Sequence, residues 1–285
     1  MAAGGLVTLG LAFMWSGLLV VVVEYLTRML IAHELDLLAV GVFTAAFRLS
    51  GILVNFVLGA MAADYYPSLT AVSHDHGKMR DLVNQQTEIG LFLAVPGLLA
   101  TLALAPWIIQ IFYTSEFTAS ADLLQWFVLG CLGRVISWPM GFIMLAKGSG
   151  WLFALTQTLA HTFHLMAIWM GLRWFGIEGV SMAFFVLYIF HGMWVKIIGR
   201  KLIDFEWSKE VKYLLWIFGA ISVAAMIFTR VFPLLPATVV TCCMTFFVGI
   251  YCLRGLCIRL GDSHRIVKLV RKLPYGCRLL SWTLK

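Results

Sequence analysis

Apolar stretches of twenty or more residues recur along the whole chain, separated by short polar breaks. A soluble core of this length would instead show narrow amphipathic stripes, whereas a hydrocarbon layer about 30 Å thick demands long apolar runs. The pattern predicts an all-α, polytopic membrane protein of about eight transmembrane helices. They are expected from about Gly5 to Ile31, Leu37 to Ala63, Ile89 to Phe112, Leu123 to Ala146, Trp151 to Leu172, Ile177 to Ile198, Tyr213 to Phe232 and Pro236 to Ile258. Met1 precedes the first of these with neither a basic segment nor a small-residue cleavage site, so that helix is expected to be retained.

Lysine and arginine placement orients the helices, because basic loops stay in the cytoplasm. One side holds Lys78, Arg80, Lys147, Lys196, Arg200, Lys201, Lys209, Lys212, Arg254, Arg259 and the tail residues Arg265, Lys268, Arg271, Lys272, Arg278 and Lys285. The other holds Arg28, Arg173 and Arg230. This asymmetry predicts an even helix count with both termini cytoplasmic. Two basic residues, Arg48 and Arg134, belong to neither side.

Composition agrees: 61% of the residues are hydrophobic, 12% are charged and the mean hydropathy is +0.92, too little polar surface to clothe a soluble domain. The pI near 9.2 arises mostly from the basic loops and tail, so it points to anionic membrane lipid and not to nucleic acid. In HRIVKLVRKL, Ile266, Val270 and Leu273 share one helical face and Arg265, Lys268 and Arg271 another, so residues 259–285 are expected to form a basic amphipathic tail in the headgroup layer. The cysteines, Cys131, Cys242, Cys243, Cys252, Cys257 and Cys277, lack CxxC spacing and are expected as reduced thiols. The spans contain no nucleotide loop, Ser/His/Asp set or carboxylate pair, so the sequence predicts neither an enzyme nor a cofactor or metal site.

The chemistry on offer is that of ionisable groups inside the membrane, each costing about 2.5–3.5 kcal/mol at a helix centre on insertion scales. Arg48 and Arg134 each fall about eleven residues into their helices, some 16 Å down and near the midplane, so they must face protein or a watery cavity. The competing reading is structural: an arginine bonded to carbonyls freed by a proline, for which Pro139 qualifies beside Arg134, while the Arg48 helix has no proline within its expected ends. Asn55 shares a face with Arg48 and would extend a polar stripe. Glu24 is expected to be the one acid well inside a span; with Arg28 at i+4 it reads either as a local ion pair or as an ion-coupling site. His161 and His164 share a helix face and could either bond helix to helix or carry protons.

Four linked stretches carry a family resemblance: GAMAADYYPSLTAVSHD, LVNQQTEIGLFLAVPGLLA, APWIIQIFYTSEF and WPMGFIMLAKGSGWLF. They resemble the polysaccharide-transporter (Wzx-like) O-antigen flippases of the MOP superfamily, over roughly residues 6–190. The resemblance implies a MOP-type lobe around a central cavity and movement of undecaprenyl-pyrophosphate-linked oligosaccharide across the bacterial inner membrane, in polysaccharide and lipopolysaccharide biosynthesis. The first helix resembles the seventh of that family. The chain is therefore expected to correspond to a second six-helix lobe (1–199), two additional helices (200–258) and the tail, with an N-terminal lobe or partner chain missing. With that substrate, Arg48 and Arg134 become candidate pyrophosphate ligands, Asn55 a third contact, and Pro96 and Pro139 candidate bending points. Two rival readings stay open: a MATE-type cation exporter, for which only Glu24 could serve, and a non-transporting scaffold or remnant.

Overall fold

The computed structural model describes residues 2–260. The amphipathic tail expected beyond that point, and Cys277 with it, lie outside the described residues; the five cysteines within them are free thiols. Eight α-helices account for nearly all of the described chain: α1 (Ala2–Glu34), α2 (Leu37–Ala71), α3 (His76–Phe112), α4 (Ser120–Ala146), α5 (Gly150–Phe175), α6 (Ile177–Ile203), α7 (Lys209–Val231) and α8 (Leu234–Leu260). Their starts follow local chemistry. The carboxylates of Asp36 and Asp75 and the hydroxyl of Ser208 accept hydrogen bonds from the backbone N–H groups of Ala39, Lys78 and Val211, satisfying donors that a helix start leaves open. That bond holds the Asp75 carboxyl below its usual pKa.

Seven of the eight helices are long and apolar enough to cross a membrane. The exception is α5, whose 26 residues suffice in length but include Gln157, His161, His164 and several threonines. Its neighbours account for this polarity. Trp15 Nε1 donates to Thr158 Oγ1 at 2.9 Å and Gln157 Nε2 to Ser16 Oγ at 3.3 Å, both along α1, while Thr156 and His164 are buried. Contact pairs show that α5 nonetheless traverses the bundle: it runs parallel to α1 and returns through α6, which in turn lies parallel to α4.

The polar breaks gather at two ends. At the basic end, Lys147 Nζ donates to the Ser73 carbonyl at 2.9 Å and lies 3.0 Å from His76 Nε2, and Asn84 links α3 to the α6–α7 connection through Glu206 O and Ser208 N. At the opposite end, Arg230 of α7 pairs with Glu178 of α6 at 2.6 Å and donates to Gln125 of α4 at 3.0 Å, while Trp126 Nε1 donates to the same Glu178 at 2.8 Å. One guanidinium, through separate N–H groups, thus ties three helices together here. α8 is held along α3, by Trp107 donating to Thr238 near one end and by the Glu88–Arg259 ion pair near the other.

Three sequence expectations change. α2 and α3 extend well past the apolar runs, by two turns after Ala63 and by about four before Ile89. The Arg48 helix therefore does contain a proline, Pro67; it is exposed, so the Ala63 carbonyl that it frees lies where water can reach it. Glu24, expected as the one acid well inside a span, is half-buried and is joined by a more deeply buried acid within a long helix, Glu88 of the longer α3 at 4% exposure, neutralised by Arg259.

The tightest crossing is the α5–α6 hairpin. Gly176 connects the two helices at φ +60°, a conformation that favours glycine, and Gly171 and Gly179 meet back to back. A methyl group on either would run into the other's backbone carbonyl. This close approach sets the α5 wall against α6 and so fixes the site described next.

Candidate functional site

Between α1, α2, α4, α5 and α6 lies a cavity of about 260 Å³, and four of the five candidate site residues line it: Arg48, Arg134, Asn55 and Glu24. Arg28 does not. Its guanidinium turns back to Glu24, Nη2 to Oε2 at 3.0 Å and Nη1 to the Glu24 carbonyl at 3.3 Å, the local pair that their i,i+4 spacing allows.

The register of α2 against α4 explains how two arginines 86 positions apart share one space. The helices run parallel, with the Ser120 hydroxyl donating to Val42 O at 3.0 Å and the Cys131 thiol to Ser50 O at 3.5 Å. That pairing puts Arg48 and Arg134 within about 8 Å of each other along the bundle axis. Among the described residues, neither guanidinium has a hydrogen-bond or ion-pair partner. In particular, Arg134 makes no bond to a carbonyl near Pro139, whose own oxygen is taken by the Tyr65 hydroxyl at 2.9 Å. A guanidinium in this position keeps five N–H donors for whatever fills the cavity.

On the side of the Glu178–Arg230 end, aromatic rings close the space. Phe47, Phe127 and Phe184 stack edge to face at centroid separations of 5.3–5.9 Å, with Phe43 behind them. In the other direction the exposed face of α2 continues through Asn55, Gly59, Ala63 and Asp64 toward the basic end. The cavity is thus polar toward one end and sealed by rings toward the other.

The α5–α6 wall brings in residues that sequence spacing ranked low or missed. His161 and His164 both line the cavity. His161 Nδ1, His164 Nε2 and His191 Nδ1 are buried without a hydrogen-bond partner. Buried polar atoms without a partner are the exception in folded proteins. His191 sits one turn from Tyr188, whose ring it meets at 6.2 Å, and Tyr188 lines the cavity. The signal that could have found it is its place one helical turn along from an inward-facing tyrosine.

Residues 2–122 match the family model described as "Polysaccharide biosynthesis protein". No curated protein matches the chain. Among solved structures, a MOP superfamily transporter from Pyrococcus furiosus, described as having a binding pocket of reverse polarity that suggests a different function, superposes with a TM-score of 0.52 at 13% identity, over 97% of this chain and 68% of that one. At this identity the likeness shows the fold alone. Together the two findings support the resemblance to polysaccharide transporters carried by the quoted sequence stretches.

Proposed function

Taking the polysaccharide-biosynthesis match and the MOP-type fold as premise, we propose that this multi-pass membrane protein takes part in flipping an undecaprenyl-pyrophosphate-linked oligosaccharide across a bacterial inner membrane. The observation that carries the reading is the pair of unpartnered guanidinium groups, Arg48 and Arg134, on one mid-depth cavity. A pyrophosphate crossing a low-dielectric layer needs fixed positive charge, and guanidinium forks meet its oxygens two at a time. Asn55 adds a neutral contact on the path toward the basic end. Glu24 is the point at which a coupling cation would enter, displacing Arg28.

A cation exporter is the weaker reading on this geometry. Among the described residues lining the cavity Glu24 is the one carboxylate, and it is already neutralised by Arg28. Binding separates the two. The purified 285-residue chain is expected to bind undecaprenyl pyrophosphate in preference to quaternary ammonium ions, and the reverse preference would overturn the proposal. The same chain alone is expected not to flip that lipid in liposomes, because alternating access requires a second lobe to rock against. Robust flipping by the monomeric chain would show that no partner lobe is needed.

Orientation follows from charge in this proposal, with the Lys147–Ser73 end cytoplasmic and both termini on that side. Single cysteines near Glu116, Phe175 and Pro233 are expected to react with an impermeant thiol reagent from the periplasm, and those near His76, Gly148 and Asp204 only after permeabilisation. Periplasmic labelling of the α6–α7 connection would reverse the topology.

A further inference from the structure

A second concavity, of about 440 Å³, lies away from the arginine cavity, where α3, α7 and α8 meet at the basic end of the bundle. One face of each helix builds it: Glu88 and Phe92 on α3; Glu210, Tyr213 and Leu214 on α7; Tyr251, Arg254, Gly255, Ile258 and Arg259 on α8. The spacings are i,i+4, then i,i+3,i+4, then i,i+3,i+4,i+7,i+8, so each contribution is one continuous helical stripe. The α8 stripe spans about 12 Å along the axis.

The groove is graded along that length. Glu210 and Arg259 stand at the ends of α7 and α8, with Glu88 of α3 level with them through its pairing to Arg259, whereas Phe92, Leu214 and Tyr251 lie about one turn or more deeper in the bundle. Tyr213, Tyr251 and Ile258 are exposed, so the groove opens sideways to the surface that faces lipid. Its inner wall is built around a charge: the Glu88 side chain is 5% exposed and pairs with Arg259, whose own side chain stays 42% exposed with donors to spare. Glu88 is committed to Arg259, and the polar end of the groove is completed by Arg254, by the outer edge of Arg259 and, among the described lining residues, by one further carboxylate, Glu210.

A polar end offering both signs of charge within one headgroup's reach, followed by an apolar and aromatic end at acyl-chain depth, matches a zwitterionic phospholipid. We propose that this groove is a binding site for an aminophospholipid of the phosphoethanolamine type, with its phosphate on the Arg254 and Arg259 guanidinium groups, its ammonium on Glu210, and an acyl chain along Leu214, Phe92 and Tyr251. The site is independent of the substrate reading of the arginine cavity.

The test is native mass spectrometry of the full chain released from vesicles of equimolar phosphatidylethanolamine and phosphatidylglycerol. Retained phosphatidylethanolamine should exceed phosphatidylglycerol about fivefold or more, a ratio equivalent to about 1 kcal/mol. Glu210→Gln should erase that preference while leaving total retained lipid near normal. Ile258→Trp, which fills the groove mouth at an exposed position and removes no charge, should lower retention of both lipids. Free O-phosphoethanolamine, lacking acyl chains, should fail to compete at millimolar concentration; effective competition would assign the site to a soluble phosphate compound instead. Retention at the bulk ratio, or a preference unchanged in Glu210→Gln protein of unaltered thermal stability, would overturn the proposal.

Discussion

Arg48→Ala in a complete, active transporter is expected to abolish delivery of lipid-linked oligosaccharide while folded yield stays near that of the parent. Arg48 lies on an exposed face of α2 and gives its guanidinium to no other described residue, so truncation removes no internal bond. It also removes an insertion cost of about 2.5–3.5 kcal/mol. What is lost is contact with the anion. Hydrogen bonds to charged groups contribute about 1.5–3 kcal/mol, so affinity for the pyrophosphate should fall about tenfold to more than a hundredfold. Arg48→Lys should retain part of the transport, because an ammonium supplies the charge without the two-pronged geometry. Arg134→Ala should act in the same direction. Delivery per folded molecule, measured in the same cells, decides the matter: full delivery by the alanine variant would remove Arg48 from the substrate path, and a fall in folded yield with delivery per molecule unchanged would make it a structural residue.

Gly179→Val should prove at least as damaging by a different route. A side chain at Gly179 would strike the backbone of Gly171, and backbone on both sides leaves no flexible group to yield. Overpacking of a tight interior costs about 1–3 kcal/mol and occasionally more, and a crossing of two backbones belongs at the upper end. The expected result is loss of monodisperse protein, or a melting temperature lowered by several degrees with undecaprenyl pyrophosphate binding reduced, since the α5 wall of the cavity would be pushed off α6. Gly219→Val on α7 is the matched control, because a Cβ there meets nothing within 4 Å, and it should behave as the parent. Equal stability of the two variants would show that the hairpin can splay at little cost.

The sequence was most legible where one physical demand dominates. Hydrocarbon thickness alone places all eight helices, and the sign and depth of Arg48 and Arg134 suffice to put them on one cavity. α5, expected from about Trp151 to Leu172, is among those eight helices, its polar groups answering α1 and the cavity rather than lipid. The sequence misled where two demands compete. The first four turns of α3 read as a polar break, yet they form continuous helix because Asn84 and Glu88 find partners in the α6–α7 connection and in α8. The aminophospholipid groove could not be anticipated: its α3 and α8 stripes lie more than 150 positions apart, and no local spacing in either announces the other.

The length of α2 has a mechanical consequence. Arg48 sits one third of the way along a helix of 35 residues, leaving about 35 Å between it and the tip at Ala71. That distance is a lever arm. A tilt of about 10° pivoting at the arginine, within the range of known rigid-body rotations, would carry the tip about 6 Å sideways. The tip is coupled to its surroundings through Lys147, which grips the Ser73 carbonyl from the start of the α4–α5 connection, so the same stroke would be handed on to α4 and the second arginine. A displacement too small to resolve at the anion would therefore be amplified at the Ser73–His76 turn, where a spin label or fluorophore would read the two halves of a transport cycle as a distance change of several ångströms.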